Sequence, residues 1–161
     1  MKISGKPEFE SVKKDIDKLI STSKDRKAMM QKIAEYLHEE ISYYDWVGFY
    51  LVEEEDVLSL GPYVGEPTVH TRISFGQGIC GQAAAKKDTF VIQDVSKETN
   101  YLSCNAEVKS EIVLPVMKDG KILGELDIDS HSLAPFDDED KKFLNWICNK
   151  LANSKIFLDG E

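Results

Sequence analysis

Between Ile122 and Asp129 the chain reads Ile-Leu-Gly-Glu-Leu-Asp-Ile-Asp, so that Glu125, Asp127 and Asp129 alternate with Leu126 and Ile128. Residues two apart project from the same face of a β-strand, which puts three acids on one face and the apolar residues on the other. The apolar face must be buried against something, so this segment requires a sheet with a covered face. Like charges lined up on the opposite face repel, and a strand gains nothing by collecting them without a cation nearby. That face is therefore either open to solvent or the wall of a site that binds something positive.

The chain has 161 residues, enough for one domain with a real core, and 42% are hydrophobic and 30% charged, an ordinary globular mix. A net charge of −9 speaks against nucleic acid or an anionic membrane surface as partner. No apolar run approaches the roughly 18 residues that span a bilayer, and Met1 to Glu10 holds no apolar signal-peptide core. Three cysteines without such a signal suit a reducing cytoplasm, where a disulfide is transient and functional.

The expected organisation is a single α+β domain over 1-161, with N-terminal helices in 1-44, a sheet and active-site loops in 45-135, and a C-terminal helix in 136-158. Pro7 to Ile20 and Lys24 to Ile41 carry apolar residues at helical spacing. Asp45 to Val52, Val57 to Leu60 and Thr68 to Phe75 are short, aromatic or β-branched, and bounded by Gly, Pro and acidic turns. A short helix over Gly78 to Lys87 and a strand over Thr89 to Ile92 follow, then a long loop from Asp94 to Lys109. Ile112 to Met117 and Lys121 to Ser130 form a hairpin, and Asp137 opens the last helix with the acidic first turn Asp138, Glu139 and Asp140. Short connections between neighbouring strands favour an antiparallel sheet of about six strands covered by helices.

Within the hairpin, a two-residue Asp119-Gly120 turn would set Lys118 opposite Lys121 and hence Ile112 opposite Asp127, mixing charge with core. A three-residue turn that includes Lys118 sets Met117 opposite Lys121, Ile112 opposite Leu126 and Glu111 opposite Asp127. That register predicts Glu111, Asp127 and Asp129 together on the acid face, with Glu125 nearer the turn. Pro115 cannot donate to a ladder, so its strand is an edge or bulged there.

Trp46 and Tyr50 share one strand face with Gly48 between them. They read as core residues under a helix or as two aromatic walls of a slot for a small ligand. Gly76-Gln77-Gly78-Ile79-Cys80-Gly81 satisfies GxGxxG but lies mid-chain in an antiparallel setting, which argues against a dinucleotide site. Its glycines instead place Cys80 at a helix N-terminus, where the dipole lowers a thiol pKa; on the residues alone Cys80 is the favoured nucleophile. Cys104 lies in a polar loop and Cys148 on the apolar face of the last helix. His38, His70 and His131 and the cysteines lack metal-ligand spacing, so no metal is expected. Two thiols, several acids and two aromatics remain, suited to an ammonium group, an apolar side chain and thiol chemistry.

These residues resemble the free methionine-(R)-sulfoxide reductases, a family with the GAF fold. The likeness rests on Trp46-Val47-Gly48-Phe49-Tyr50-Leu51, Leu60-Gly61-Pro62-Tyr63, the Gly76 to Gly81 turn, Ser110-Glu111-Ile112-Val113-Leu114-Pro115, Leu126-Asp127-Ile128-Asp129-Ser130 and Phe136-Asp137-Asp138-Glu139-Asp140. It implies Cys104 as the catalytic thiol and Cys80 as the resolving thiol. It also implies Trp46 and Tyr50 as walls around the methyl-sulfoxide end, and Glu111, Asp127 and Asp129 around the substrate. By the same resemblance there is no cofactor beyond an external thiol reductant of thioredoxin type, and the chain is a homodimer. Two departures stand out: Phe90 replaces a third cysteine often found in the family, and Tyr101-Leu102-Ser103-Cys104-Asn105 stands where the family usually has His-Ile-Ala-Cys-Asp. The implied reaction reduces free methionine-(R)-sulfoxide through a Cys104 sulfenic acid and a Cys80–Cys104 disulfide. The alternatives are a GAF module that binds a small ligand without catalysis, and a thiol redox sensor.

Overall fold

The computed structural model describes residues 6–103 and 105–160, and its architecture follows from three helices with buried apolar faces and one strongly alternating sheet. The helix α1 (Phe9–Thr22) buries Val12 and Ile16, and α2 (Arg26–Glu40) buries Met29, Met30, Ile33, Ala34 and Leu37. Asp25 starts α2 by accepting a hydrogen bond from the Ala28 amide at 2.8 Å. The helix α4 (Asp138–Ala152) opens on a capping box: Asp137 accepts from the Asp140 amide, and the Asp140 carboxylate accepts from the Asp137 amide. Asn153 ends it, and Ser154 caps a separate short helix, α5 (Lys155–Asp159), where the sequence pattern predicts one continuous helix.

Six strands form one antiparallel sheet: β1 (Trp46–Glu54), β2 (Val57–Val64), β3 (Arg72–Ser74), β4 (Phe90–Ile92), β5 (Ser110–Lys118) and β6 (Lys121–Ser130), in the order β3-β2-β1-β6-β5-β4. Helix α3 (Gly78–Lys86) joins β3 to β4. On one face Val47, Phe49, Leu51, Ile112, Leu114, Leu126 and Ile128 pack with α1, α2 and α4 as the main core. On the other, Trp46, Tyr50, Leu58, Ile73 and Val113 pack with Ile79, Cys80, Ala83 and Ala84 of α3. The α+β class, the six strands and the antiparallel order agree with the sequence expectation. The third expected strand shrinks from Thr68 to Phe75 down to three residues.

The hairpin corrects the expected register. Its turn is the two-residue one, with Asp119 (φ 52°) and Gly120 (φ 77°) both left-handed and Lys118 paired with Lys121. Such a turn matches the right-handed twist of its strands. Parity is restored by a bulge: Met117 pairs with Ile122 but Val116 pairs with Gly124, leaving Leu123 as the extra residue. Ile112 therefore meets Ile128 and Leu114 meets Leu126, so the apolar residues share a face as expected. Met117 is shifted by one position and every pair beyond the bulge by two, however, so Glu111 lies opposite Asp129, not Asp127. Pro115 lies in an interior strand, but β4 ends at Phe90 opposite Val113, so its position has no strand on that side.

Candidate active site

The acid face is a buried wall. Glu125 is fully buried, and Glu111, Asp127 and Asp129 are each no more than 6% exposed. Strand pairing arranges them in rows across three strands. Trp46, Asp129 and Glu111 form one row, Gly48, Asp127 and Val113 the next, and Tyr50, Glu125 and Pro115 the third. Glu125 lies nearer the turn than Asp127 and Asp129, as expected, opposite Pro115, yet it is the most completely buried of the four.

Taking a carboxylate out of water favours its protonated form. Burial, reinforced by Asp127, pushes Glu125 well above the usual carboxyl range. Burial likewise raises Asp129, again with help from Asp127. Asp127 is raised by burial and pulled partly back by hydrogen bonding with Glu111 and Cys80. Among the described residues, both Glu125 carboxyl oxygens, Asp127 Oδ1 and Asp129 Oδ1 have no hydrogen-bond partner. A wall of this kind is built to receive hydrogen-bond donors or positive charge.

Cys80 faces this wall from the first turn of α3, with Sγ 3.9 Å from Glu111 Oε2. The helix N-terminus does not lower its pKa as expected. Burial and then Asp127, Glu111 and Glu125 push the thiol well above its ordinary value. Three nearby acids and desolvation outweigh a dipole that stabilises an anion by about 1 kcal/mol or less at an exposed helix end. Cys148 is buried on the opposite side of the sheet, with Sγ 3.8 Å from the Leu114 carbonyl oxygen, a core residue as expected. Cys104 lies outside the described residues.

The GxGxxG segment serves packing. Gly78 has φ 65°, and a Cβ there would lie 2.8 Å from Leu102 Cγ; at Gly81 it would lie 2.5 Å from the Ser74 carbonyl oxygen. Asn100 stitches this turn to the following loop, accepting from the Gly78 amide and donating to the Gly76 carbonyl, both at 2.8 Å. Gln82 adds a hydrogen bond to the Asn100 carbonyl at 2.9 Å. His70 crosses above the wall: its carbonyl accepts from the Tyr50 hydroxyl at 2.9 Å, and its Nε2 lies 3.0 Å from the Ser103 carbonyl oxygen. Sequence reasoning missed Asn100 and His70, because their roles are contacts between loops that no local pattern encodes.

Trp46 and Tyr50 share the face as expected, both buried. The space over Gly48 is not an open gap. The six-membered ring of Trp46 covers it, stacked on Tyr63 at 5.3 Å and held by a 2.9 Å hydrogen bond from Nε1 to the Glu66 carbonyl. Two small cavities flank the wall. One of about 20 Å³ is lined by Tyr50, His70, Ile73, Ile79, Cys80, Leu102, Glu111 and Asp127. The other, of about 10 Å³, touches Trp46, Asn105, Asp129 and His131. Each has room for about one water and is too small for an amino acid as it stands.

An antiparallel sheet in this strand order, helices on one face and a loop-covered pocket on the other define a GAF domain. The GAF domain model matches residues 25–154. GAF domain-containing protein A of Dictyostelium discoideum is 38% identical over 93% of this chain and 94% of its own length. The free methionine-R-sulfoxide reductase of Escherichia coli is 35% identical over 89% of this chain and 86% of its own. The X-ray structure of free methionine-R-sulfoxide reductase from Neisseria meningitidis in complex with its substrate superposes with a TM-score of 0.88 at 36% identity, covering 98% of this chain and 95% of that one. The chain belongs to the GAF-domain family and, within it, to the free methionine-R-sulfoxide reductases. Among the described residues no helix is long and apolar enough to cross a membrane.

Proposed function

We propose that this protein reduces free methionine-(R)-sulfoxide to methionine with two of its own thiols. The observation that carries this reading is the wall of four buried acids facing a thiol, with no Lys or Arg among the described residues that line either adjoining cavity. A free amino acid brings the missing cation as its ammonium group, whereas a residue within a peptide has none there. The relatives that carry this activity in their names support the same conclusion.

In the proposed reaction the Cys104 thiolate attacks the sulfoxide sulfur while Glu111 or Asp127 delivers a proton to the oxygen. Burial, which favours a protonated Asp127, supports it as that donor. Methionine leaves and Cys104 is left as a sulfenic acid. Cys80 then attacks the Cys104 sulfur, its proton leaving with the hydroxyl as water, and a Cys80–Cys104 disulfide results. The raised pKa of Cys80 suits this second, resolving role, since it stays a thiol until the sulfenic acid is presented. A thioredoxin-type dithiol of a reducing compartment restores both cysteines. Trp46 and Tyr50 border the methyl-sulfoxide end, and Asp129 with the remaining acids holds the ammonium.

Consumption of each diastereomer with dithiothreitol tests the reading. Free methionine-(R)-sulfoxide is expected to be reduced, the (S) form spared, and N-acetylmethionine sulfoxide spared for want of the ammonium. Reduction of the N-acetyl compound at a comparable rate overturns the recognition scheme. Binding of the free sulfoxide without consumption identifies a ligand-binding GAF module instead.

A further inference from the structure

Cys80 Sγ, a Glu111 carboxylate oxygen and an Asp127 carboxylate oxygen all lie within 4.8 Å of one another, and all three residues are buried. Each comes from a different element, which is why local ligand spacing did not reveal the group. Tetrahedral zinc, with Zn–S near 2.3 Å and Zn–O near 2.1 Å, places sulfur and oxygen ligands roughly 3.6 Å apart. The observed 3.9 Å between Cys80 Sγ and Glu111 Oε2 is within a few tenths of an ångström of that. We propose that the reduced, substrate-free pocket is a binding site for a divalent cation of borderline softness, Zn²⁺ foremost, held by Cys80, Glu111 and Asp127.

Three further observations support the site. Asp127 Oδ1 is buried and lacks a hydrogen-bond partner among the described residues, and Asp127 lines the cavity that also touches Cys80 and Glu111. That cavity, about 20 Å³, has the size of one ion or one water and is far too small for a larger guest without loop movement. Among the described residues both oxygens of the neighbouring Glu125 also lack a hydrogen-bond partner, so a dication would enter a buried, acid-lined setting. The donor set selects the metal. A sulfur with two carboxylates suits Zn²⁺ or Co²⁺, whereas Mg²⁺ and Ca²⁺ require all-oxygen shells. On binding, Cys80 and any protonated carboxyl ligand release their protons to solvent.

The bound cation would occupy the place of the substrate ammonium and mask the resolving thiol, so Zn²⁺ inhibits turnover. That consequence rests on the reductase reading; the binding itself does not. The test uses the full chain, reduced and then desalted anaerobically, because a dithiol would compete for metal. Titration with Co²⁺ is expected to give one ion per chain with a sulfur-to-cobalt charge-transfer band in the near ultraviolet, displaced by one equivalent of Zn²⁺. Cys80→Ser and Cys80→Ala are expected to lose the band. Asp127→Asn is expected to weaken Co²⁺ binding by about tenfold or more, and Cys148→Ser to keep band and affinity, with circular dichroism confirming that each variant is folded. A band that survives in folded Cys80→Ser, Co²⁺ bound without sulfur charge transfer, or no stoichiometric binding overturns the proposal. If Co²⁺ binds as described but the metal-free chain reduces no sulfoxide, the metal site stands and the reductase reading falls. The opposite pair of results sinks the metal site alone.

Discussion

A single missing Cβ sets the shape of the pocket. Trp46 reaches across Gly48 so closely that a Cβ there would lie 2.4 Å from Trp46 Cη2 and 2.7 Å from Tyr63 Cβ. Gly48→Ala must therefore push the indole out of its stack, and overpacking of this kind costs about 1–3 kcal/mol. A drop in the urea midpoint accompanied by red-shifted tryptophan fluorescence checks it; an unchanged midpoint would mean that the ring does not need this place. The acids were legible from their period alone, since a strand has only two faces. Their burial was not, because it depends on α3 and on the loops carrying His70 and Leu102. The pKa of Cys80 was misread for the same reason: the helix position is written in its neighbours, but the acids around it arrive from other strands.

Element ends were legible where a run of local signals marks them, as at Asp137 with its acidic turn; the cap at Asp25 was not, since apolar spacing alone put the start of α2 at Lys24. The hairpin register was not. The Asp119-Gly120 pair correctly marks a tight turn, but the bulge at Leu123 restores parity in a way that hydrophobic alternation cannot distinguish from a longer turn. Helix α4 owes its placement to Asp140, which caps its own helix and anchors two other segments. The Tyr43 and Tyr44 hydroxyls both donate to Oδ1 at 2.7 Å, and the Lys6 ammonium donates to Oδ2 at 2.6 Å. Burial and the Asp140 carboxylate push the Tyr44 hydroxyl well above its ordinary range, so it remains a donor. Asp140→Ala strands the buried Tyr44 hydroxyl as well as opening the helix start, and is expected to destabilise by at least about 2 kcal/mol. Asp137→Ala, which removes the cap and a half-exposed ion pair with Lys6 that adds little, is expected to cost about 1 kcal/mol. Denaturant melts of the pair check the order; equal losses would leave Asp140 with no role beyond capping.

For the whole molecule, the buried wall makes stability depend on pH in an unusual direction. Glu125, Asp127 and Asp129 hold their protons more tightly when folded than at their ordinary values of 4.5 and 3.8. The folded chain then binds more protons than the unfolded one, so the stability these groups contribute is fully present below those values. It is lost as pH rises toward each folded pKa, at up to roughly 1.4 kcal/mol per pH unit for each group. Urea midpoints are expected to fall as pH rises above about 4.5, and to fall less steeply in Glu125→Gln. Midpoints that rise over this range would mean that the acids are ionised and paired. In the proposed function the substrate ammonium would supply the cation that such a wall lacks. The division of labour between the thiols is the claim on which this account turns. A single turnover of the reduced chain with free methionine-(R)-sulfoxide and no added reductant tests it most directly. The expected result is about one methionine per chain and a Cys80–Cys104 disulfide by peptide mapping, with Cys80→Ser still releasing methionine and Cys104→Ser releasing none. Methionine released by Cys104→Ser, or none from the unaltered chain, would contradict it.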